Sequence, residues 1–569
     1  MEMKTIETDV LVVGAGPTGL SMGLLLGRLG LRSHIVERRP EPQRAPAAHA
    51  VNARSFEIWR QAGVDMDAVF ALAKDPRDAG AVHWVTRLGG EVLGSLPYER
   101  QTDEVLAVTP TPLRNLSQHR LEPLLVGELT RSTGKGPVFS QRWESSEQNS
   151  DGVTSTVRDL ATDEVYAVRS RFVIAADGAG SPVRKSLGIG GAGPDRIQAF
   201  LMIHFEADLR ALVGEHPGVL YWISDPSCSG VLVAHDIDRE WVFMHSWDPD
   251  SEDVKDYDEA RCLALVRRTM TDAGVPITIR AVAPWLMTSK IADRYREGRI
   301  FLVGDAAHRF PPTGGLGLNT GVQDAHNLAW KIAAVEKGWA GPELLDTYES
   351  ERRPVAGYNA EQSLTNAMRM LEVPMAMGTA DAPEAAALSF AAMLTDPVRR
   401  AEVGAAIANQ AEHFDMLGLQ LGFRYSGPAI LDDGSAAPVV ANPVREFCPS
   451  SRPGSRLPHG WVRKDGRRVS TLDLVELDSL TLFVPEGSAW ADAARASAAP
   501  LRVVEWGRDV ADPDDWWGST AELTREGALL VRPDQHVAAR FASDGGDAAA
   551  ALSRALAVFV APGLEQKCA

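Results

Sequence analysis

From Thr8 the chain reads TDVLVVGAGPTGLSMGLLLGRLG: four consecutive apolar residues, a glycine-rich turn, then Leu20, Leu24, Leu25 and Leu29 at helical spacing. The pattern predicts a buried strand, a tight turn and a helix. LRSHIVERRP follows as a second strand ending at Glu37, which completes a βαβ unit of a parallel sheet. RFVIAADGAG from Arg171, and GRIFLVGDAAH ending at His308, repeat the order of apolar strand, glycine turn and acid. Between those two strands the period changes to two. In AFLMIHFEADL, Leu201, Ile203, Phe205 and Ala207 alternate with Met202, His204, Glu206 and Asp208, and VLYWIS, GVLVAHDI and EWVFMHSW are further short β-type runs. An antiparallel sheet inserted into a parallel domain is expected. The Ala- and Met-rich stretch from Glu361 to Leu421 predicts helices, and the turn-rich chain after Gly427 predicts a separate C-terminal α/β unit.

These runs divide the chain. Residues 1-75, 106-186 and 281-362 are expected to form a discontinuous dinucleotide-binding domain, 76-105 and 187-280 an inserted substrate domain, 363-426 a helical connector and 427-569 the C-terminal unit. The expected class is α/β, a Rossmann-type domain carrying an inserted antiparallel β-sheet. Composition leaves this picture unchanged, since 45% apolar and 24% charged residues in a chain of 569 are ordinary for a globular protein. The net charge of −18 argues against a nucleic-acid partner, because such binding rests on Lys and Arg neutralising phosphates. Cys228, Cys262, Cys448 and Cys568 are widely spaced, so neither a disulfide framework nor a metal site is expected. No apolar run approaches the ~18 residues of a membrane span, and a reducing cytoplasm is the expected compartment.

Two motifs carry chemistry. Gly14, Gly16 and Gly19 form GxGxxG directly after the first strand, where a tight turn lets backbone approach a pyrophosphate at a helix N-terminus; Glu37 is placed to accept from a ribose. The plainer alternative is an ordinary glycine turn, and the motif alone does not choose between NAD and FAD. GDAAHRFPPTGGLGLNTGVQDAHNLAWK, Gly304 to Lys331, does choose. Asp305 arrives at a turn where its carboxylate can meet ribityl hydroxyls, the prolines build a rigid wall, and Gly314, Gly315 and Gly317 open the backbone to an isoalloxazine edge. A nicotinamide dehydrogenase needs no such second site.

With these motifs in order, the chain from Thr8 to Lys331 resembles the single-component FAD-dependent aromatic hydroxylases, above all the phenol and 2,4-dichlorophenol 6-monooxygenase type and its natural-product tailoring branch. The resemblance is carried by GAGPTG, LSQHRLEPLL (Leu116 to Leu125), AADGAGSPVR (Ala175 to Arg184) and GDAAH (Gly304 to His308). It implies a cofactor site made of Gly14, Gly16, Pro17, Thr18, Gly19, Glu37, Arg38, Arg44, Gln118, Asp177, Asp305, Pro312, Gly315, Gly317, Leu318 and Asn319. In RAPAAHAVNARSFEIWRQAGV, Arg44 to Val64, it places Asn52 near the flavin ring and His49 where phenol hydroxylases keep a polar group, often an acid, near the substrate hydroxyl. A histidine titrating near neutrality is suited to accept a phenolic proton, the plainer alternative being a hydrogen bond to backbone. Tyr221 is the second candidate for the pocket; Trp241, Phe243, His245 and Trp247 share one strand face and are expected to pack as core or pocket wall.

The C-terminal unit resembles the thioredoxin-like domain of phenol hydroxylases but contains no CxxC, so packing or dimer contact is expected of it and redox cycling is not. The implied activity is hydroxylation of a phenolic or hydroxylated heteroaromatic ring. NADPH or NADH reduces bound FAD, O2 adds at flavin C4a, and the hydroperoxide transfers oxygen to a ring carbon ortho or para to a hydroxyl. The implied partners are a small aromatic substrate, O2 and NAD(P)H, with no nucleic acid, no membrane and a homodimer as one expected assembly. The alternatives are Baeyer-Villiger oxygen insertion on the same scaffold and a flavin-binding protein without turnover.

Overall fold

The computed structural model describes residues 3–380, 383–497, 499–543 and 546–561. Val10–Val13 pairs in parallel with Ser33–Val36 on one side and with Phe172–Ala175 on the other, and Phe172–Ala175 pairs in parallel with Ile300–Leu302. Val10–Val13, Phe172–Ala175 and Ile300–Leu302 are buried along their whole length, as apolar strands of a doubly covered sheet must be. Each of these three leads into a glycine in the left-handed region, Gly14, Gly178 and Gly304, so all three turns open at the carboxyl edge of the sheet. That edge is where ligands bind in parallel sheets. Helices Pro17–Arg28, Gln118–Thr133 and Leu316–Glu336 share one core with the sheet. Pro17 sits at the first position of its helix, where the N–H it lacks has no intrahelical partner anyway.

The second sheet has seven strands in the order Thr278–Met287, Gln198–Glu206, Glu240–Ser246, Gly230–Asp236, Leu220–Ile223, Ala81–Val85 and Val92–Pro97. Its pairs are antiparallel except that of Leu220–Ile223 with Ala81–Val85. The expected antiparallel sheet is thus amended at one pair, where strands far apart in sequence meet without a hairpin to oppose them. The period of two decides the faces. Leu201, Ile203, Phe205, Trp241 and Phe243 enter a core on one side, while Phe200, Met202, His204, Val242 and Met244 line a cavity on the other.

Two expected boundaries move. The strand Thr278–Met287 carries the second sheet across residue 280, and the helix Thr347–Arg369 runs unbroken through 362. Beyond it, Glu372–Met377, Pro383–Thr395, Pro397–Ala408 and Leu417–Leu421 are helical, as the composition predicts. The C-terminal sheet orders Leu501–Trp506, Leu480–Pro485, Ala528–Val531 and Val537–Phe541, with the first pair parallel. Leu480, Leu482, Trp490 and Leu530 of this unit lie in the same core as the parallel sheet. Among the described residues no helix is long and apolar enough to cross a membrane, and no group of His, Cys, Asp and Glu is arranged to hold a metal ion.

Candidate active site

A cavity of about 1430 Å³ lies between the loops of the parallel sheet and the inner face of the seven-stranded sheet. On the loop side it is lined by Gly16, Pro17, Thr18, Gln118, Asp305, Pro312, Gly315, Gly317 and Leu318, nine of the residues expected at the cofactor. The glycines divide by role. A Cβ on Gly14 would collide with the Ala176 carbonyl and one on Gly19 with the Gly14 carbonyl, so both serve close packing. Gly16 and Gly317 have open space where a Cβ would be. Thr18 packs against Gly304 and Gly321, where a Cβ on either would meet its hydroxyl.

Two helix N-termini face this space without a side-chain cap or an acid in the first turn: that of Pro17–Arg28 at Gly16, and that of Leu316–Glu336 at Gly315 with φ 63°. Their unpaired N–H groups favour negative charge. Asp305 is reached by solvent through the cavity although protein surrounds it, and this enclosure raises its carboxyl above the ordinary range. Asp177 is held by the Val183 N–H at 3.0 Å, leaving Oδ1 buried without a hydrogen-bond partner, and burial raises it as well. Asp177 lies behind the cavity-lining Ala176 and Gly178. A space with two anion-favouring helix ends and, in Asp305, a lining carboxyl suits a dinucleotide with a hydroxylated chain, as FAD has.

Other expected cofactor residues stand elsewhere. Glu37 accepts from Ala15 N at 2.8 Å and from Arg39 N at 2.9 Å, so its carboxylate is occupied by the turn itself; burial opposes ionisation, but these bonds and the Arg39 charge hold it low. Arg38 is exposed and outside the cavity lining. Arg44 points to solvent, its side chain 81% exposed, and pairs with Glu41 at 2.6 Å; the cavity receives its neighbours Gln43 and Ala45 instead. Asn319 braces the site without lining it: Nδ2 donates to the Ala50 carbonyl at 2.9 Å and the Gly315 carbonyl at 2.7 Å, and Oδ1 accepts from Asn52 N at 3.0 Å. Asn52 caps the helix Ala53–Gln61 by accepting from Ser55 N.

Tyr221 requires a correction. It is 1% exposed and stacks on His83, with its hydroxyl donating to the His216 carbonyl at 2.9 Å. In a strand of period two its neighbours Leu220 and Trp222 face the cavity, so Tyr221 faces the core. Trp222 stacks on Trp84, centroids 5.0 Å apart and planes 15° apart, and Phe414 meets it edge-on at 5.5 Å. Trp84, Tyr98 and Phe414 escape a reading by motif, because each comes from a different chain segment; an alternation count on VLYWIS favours neither parity without knowing which face is covered.

His49 lines the cavity. Its Nδ1 lies 2.9 Å from Asn115 Oδ1, while Asn115 Nδ2 donates to Gln101 Oε1 at 3.2 Å. Asn115 Oδ1 is therefore the acceptor, Nδ1 carries the proton and Nε2 keeps its lone pair. The expectation of a histidine titrating near neutrality is corrected: enclosure, with a smaller push from the Lys74 charge, takes His49 down to about 4 against the opposing Asn115 bond. The His235 ring stands perpendicular to His49 at 5.6 Å, is bonded through Nδ1 to Ser117 Oγ, and is held well below its ordinary value by burial. The Tyr98 ring is 6.3 Å from His49, and burial raises its hydroxyl above the usual range.

Comparison with known proteins agrees with this geometry. The family model for an FAD binding domain matches residues 7–363, and that for the C-terminal part of aromatic-ring hydroxylases matches 450–562. The chain is 34% identical to 2,4-dichlorophenol 6-monooxygenase of Delftia acidovorans over 97% of its length and 99% of that protein. It is 36% identical to tetracenomycin B2 monooxygenase-dioxygenase of Streptomyces olivaceus over 98% of its length and all of the relative (100%). Among solved structures, the flavin-dependent monooxygenase PieE in complex with FAD and substrate superimposes with a TM-score of 0.90 at 34% identity, covering 97% of this chain and 99% of that one. These findings support ring hydroxylation and give no support to Baeyer-Villiger insertion or to a flavin protein without turnover. The glycine turns, the uncapped helix ends and the full-length likeness have one explanation: the chain belongs to the FAD-dependent aromatic-ring hydroxylases, monooxygenases that bind FAD and in this family draw electrons from NAD(P)H.

Proposed function

We propose that the protein hydroxylates a phenolic or hydroxylated heteroaromatic compound of more than one ring, with NADPH or NADH and O2. The cavity carries this reading: about 1430 Å³ exceeds the roughly 300–1,000 Å³ usual for a single ligand, as a space shared by FAD and a substrate must, and the wall opposite the FAD loops is broad, running across the sheet from Trp84 and Trp222 to Met244, Phe200 and Trp285. Identity does not choose a substrate, since it is 34% toward a relative named for a dichlorophenol and 36% toward one named for tetracenomycin.

Gly16 to Thr18, Gln118, Asp305 and Gly315 to Leu318 are the residues that would hold FAD, the helix ends facing its negative charge and Asp305 its hydroxyls. Bound FAD supplies electron uptake from NAD(P)H and the activation of O2. The rest falls to the protein. Trp84 and Trp222 offer stacked indoles to the flat substrate, Met202, Met244 and Trp285 exclude water from its ring, and His49 Nε2 accepts the hydrogen of its hydroxyl. Asn115 keeps that lone pair in place by fixing the tautomer.

The same reading covers the architecture. The segments 1-75, 106-186 and about 288-369 serve as the FAD domain, 76-105 and 187-287 as the substrate domain, and the C-terminal unit as a thioredoxin-like domain without redox function. Of its cysteines, Cys448 is free and exposed, and Cys568 lies outside the described residues. A homodimer in the cytoplasm is the proposed setting. Screening mono- and multi-ring phenols for accelerated NAD(P)H oxidation with product identification tests the proposal. Preference for single-ring phenols, or loss of oxygen into peroxide with every multi-ring compound, would sink it.

A further inference from the structure

The turn Arg532 to His536 of the C-terminal sheet ends its side chains inside the FAD-binding part of the molecule. Arg532, Asp534, Gln535 and His536 are all 1% exposed or less. Arg532 forks onto Glu351, Nη1 to Oε1 at 2.6 Å and Nη2 to Oε2 at 2.8 Å. Lys331 Nζ donates to the same carboxylate at 2.7 Å, and Asn327 Nδ2 donates to Glu351 Oε2 at 2.7 Å and to Asp534 Oδ2 at 3.3 Å. Asn327 and Lys331 belong to the helix Leu316–Glu336, whose first residues line the cavity. On the other side, Gln535 Oε1 accepts from Arg54 Nη1 at 2.6 Å, the Asp534 carbonyl from Arg54 Nη2 at 2.8 Å, and the Pro533 carbonyl from Gln61 Nε2 at 2.9 Å. Arg54 and Gln61 belong to the helix Ala53–Gln61, which starts just after the cavity residues Ala48, His49 and Ala50. One turn therefore holds two of the helices that begin at or beside the cavity: Ala53–Gln61 directly, and Leu316–Glu336 through Asn327 and through Glu351 of the helix Thr347–Arg369.

Stability does not account for such a cluster. Buried ion pairs are commonly matched by apolar side chains of similar volume, whereas a bidentate fork adds direction that apolar packing lacks. Burial alone would raise Glu351, yet Arg532 and Lys331 outweigh it and hold the carboxyl at about 2, so the fork stays ionised. At the cavity end the same two helices meet again through Asn319, which bonds both Asn52 and Gly315.

We propose that this C-terminal turn positions the flavin-holding loops: Gln535 holds Arg54 of the one helix, Arg532 holds Lys331 and Asn327 of the other through Glu351 of the helix Thr347–Arg369, and the spacing of Gly315 to Leu318 from His49 and Ala50 is set between them. The proposal rests on the cavity being the FAD site. Arg532→Lys keeps the charge and loses the fork, and Gln535→Leu removes the acceptor of Arg54 without adding charge. On the full chain, the readouts are FAD affinity of the apoprotein, amide hydrogen exchange across 304–320 in the apoprotein, its Tm, and the product-to-peroxide ratio of the holoenzyme. Each variant is expected to fold with a near-native Tm, to bind FAD about tenfold more weakly, to exchange faster across 304–320 and to release more peroxide. Folded variants with native FAD affinity and native exchange overturn the proposal and leave the turn a packing role. Should either variant fail to fold, the pair Arg532→Met with Glu351→Met, which removes one charge of each sign, takes its place under the same criteria. Affinity and exchange are read without substrate, so a failure of the hydroxylation reading would show as absent turnover in the unmodified protein while these two differences stand.

Discussion

Replacing His49 by Ala separates two accounts of how the substrate hydroxyl is activated. With the imidazolium held at about 4, a phenol near the ~10 of a tyrosine hydroxyl lies about six pH units higher, so complete proton transfer to His49 would cost about 8 kcal/mol. That is too much for a base that carries the reaction. A hydrogen bond from the hydroxyl to Nε2 remains, polarising the ring and fixing its angle. Deleting one acceptor from a buried hydroxyl costs about 1–3 kcal/mol, hence about 5- to 150-fold slower oxygen transfer; loss of a true general base would reach about 10²- to 10⁴-fold. Reduction of the flavin by NAD(P)H should be unchanged, so the variant consumes reductant and diverts oxygen to H2O2. Rapid-mixing spectra with parallel product and peroxide assays measure both steps. Raising the pH toward the substrate's own pKa should narrow the gap, because solvent then supplies the phenolate. Since His49 stays neutral above its lowered value, the unmodified protein should show no inflection in coupling near pH 6.5. Native coupling in folded His49→Ala protein, or a clear inflection near 6.5 that the variant abolishes, would refute this account.

Asp305→Ala should weaken FAD retention by about 1–3 kcal/mol through loss of an acceptor for ribityl hydroxyls; equal FAD affinity by titration of the folded apoprotein would remove Asp305 from the site. Trp222→Ala should raise KM for the preferred multi-ring substrate with little change in flavin reduction, since it deletes one stacked indole, and an unchanged KM in steady-state assays would displace the substrate from that wall. Stability should fall below pH 6.5. Enclosure holds His49 and His459 at about 4 and His413 at about 3, so these three bind three more protons in the unfolded chain as the pH drops through 6.5, and burial of His235 and His326 acts in the same direction, while Glu99, raised to about 7, keeps one more in the folded state. Those three histidines and Glu99 alone net two, a loss of about 3 kcal/mol per pH unit between pH 6 and 5. Urea unfolding across that range measures it, and His413→Phe should reduce the slope by about 1.4 kcal/mol per unit. A stability independent of pH there would mean that these histidines are hydrated. Cys448→Ser should leave turnover unchanged, because the thiol is free and exposed; a large loss in a folded variant would give the C-terminal unit a redox part after all.

Local order along the chain determined the parallel sheet, its three glycine turns, the flavin motif and the alternation of the inserted strands, because each depends on neighbours within a few residues. Gly14 and Gly19 are legible for the same reason: the turn they make admits no Cβ. Which way an alternating strand faces is not local. Tyr221 and Trp222 are equally suited to a pocket by composition, and only the packing behind the sheet decides that Trp222 faces the cavity and Tyr221 the core. Charge state is not local either, since His49 is kept neutral by segments from distant parts of the chain that enclose it. Glu37 and Arg44 fit a motif, yet Arg39 and Glu41 occupy them. The hold of Arg532 and Gln535 on Glu351 and Arg54 joins residues 181 and 481 positions apart. No periodicity encodes such a contact; it exists because the C-terminal sheet buries its turn against two helices, and a buried charge must find its partner wherever the fold has brought one.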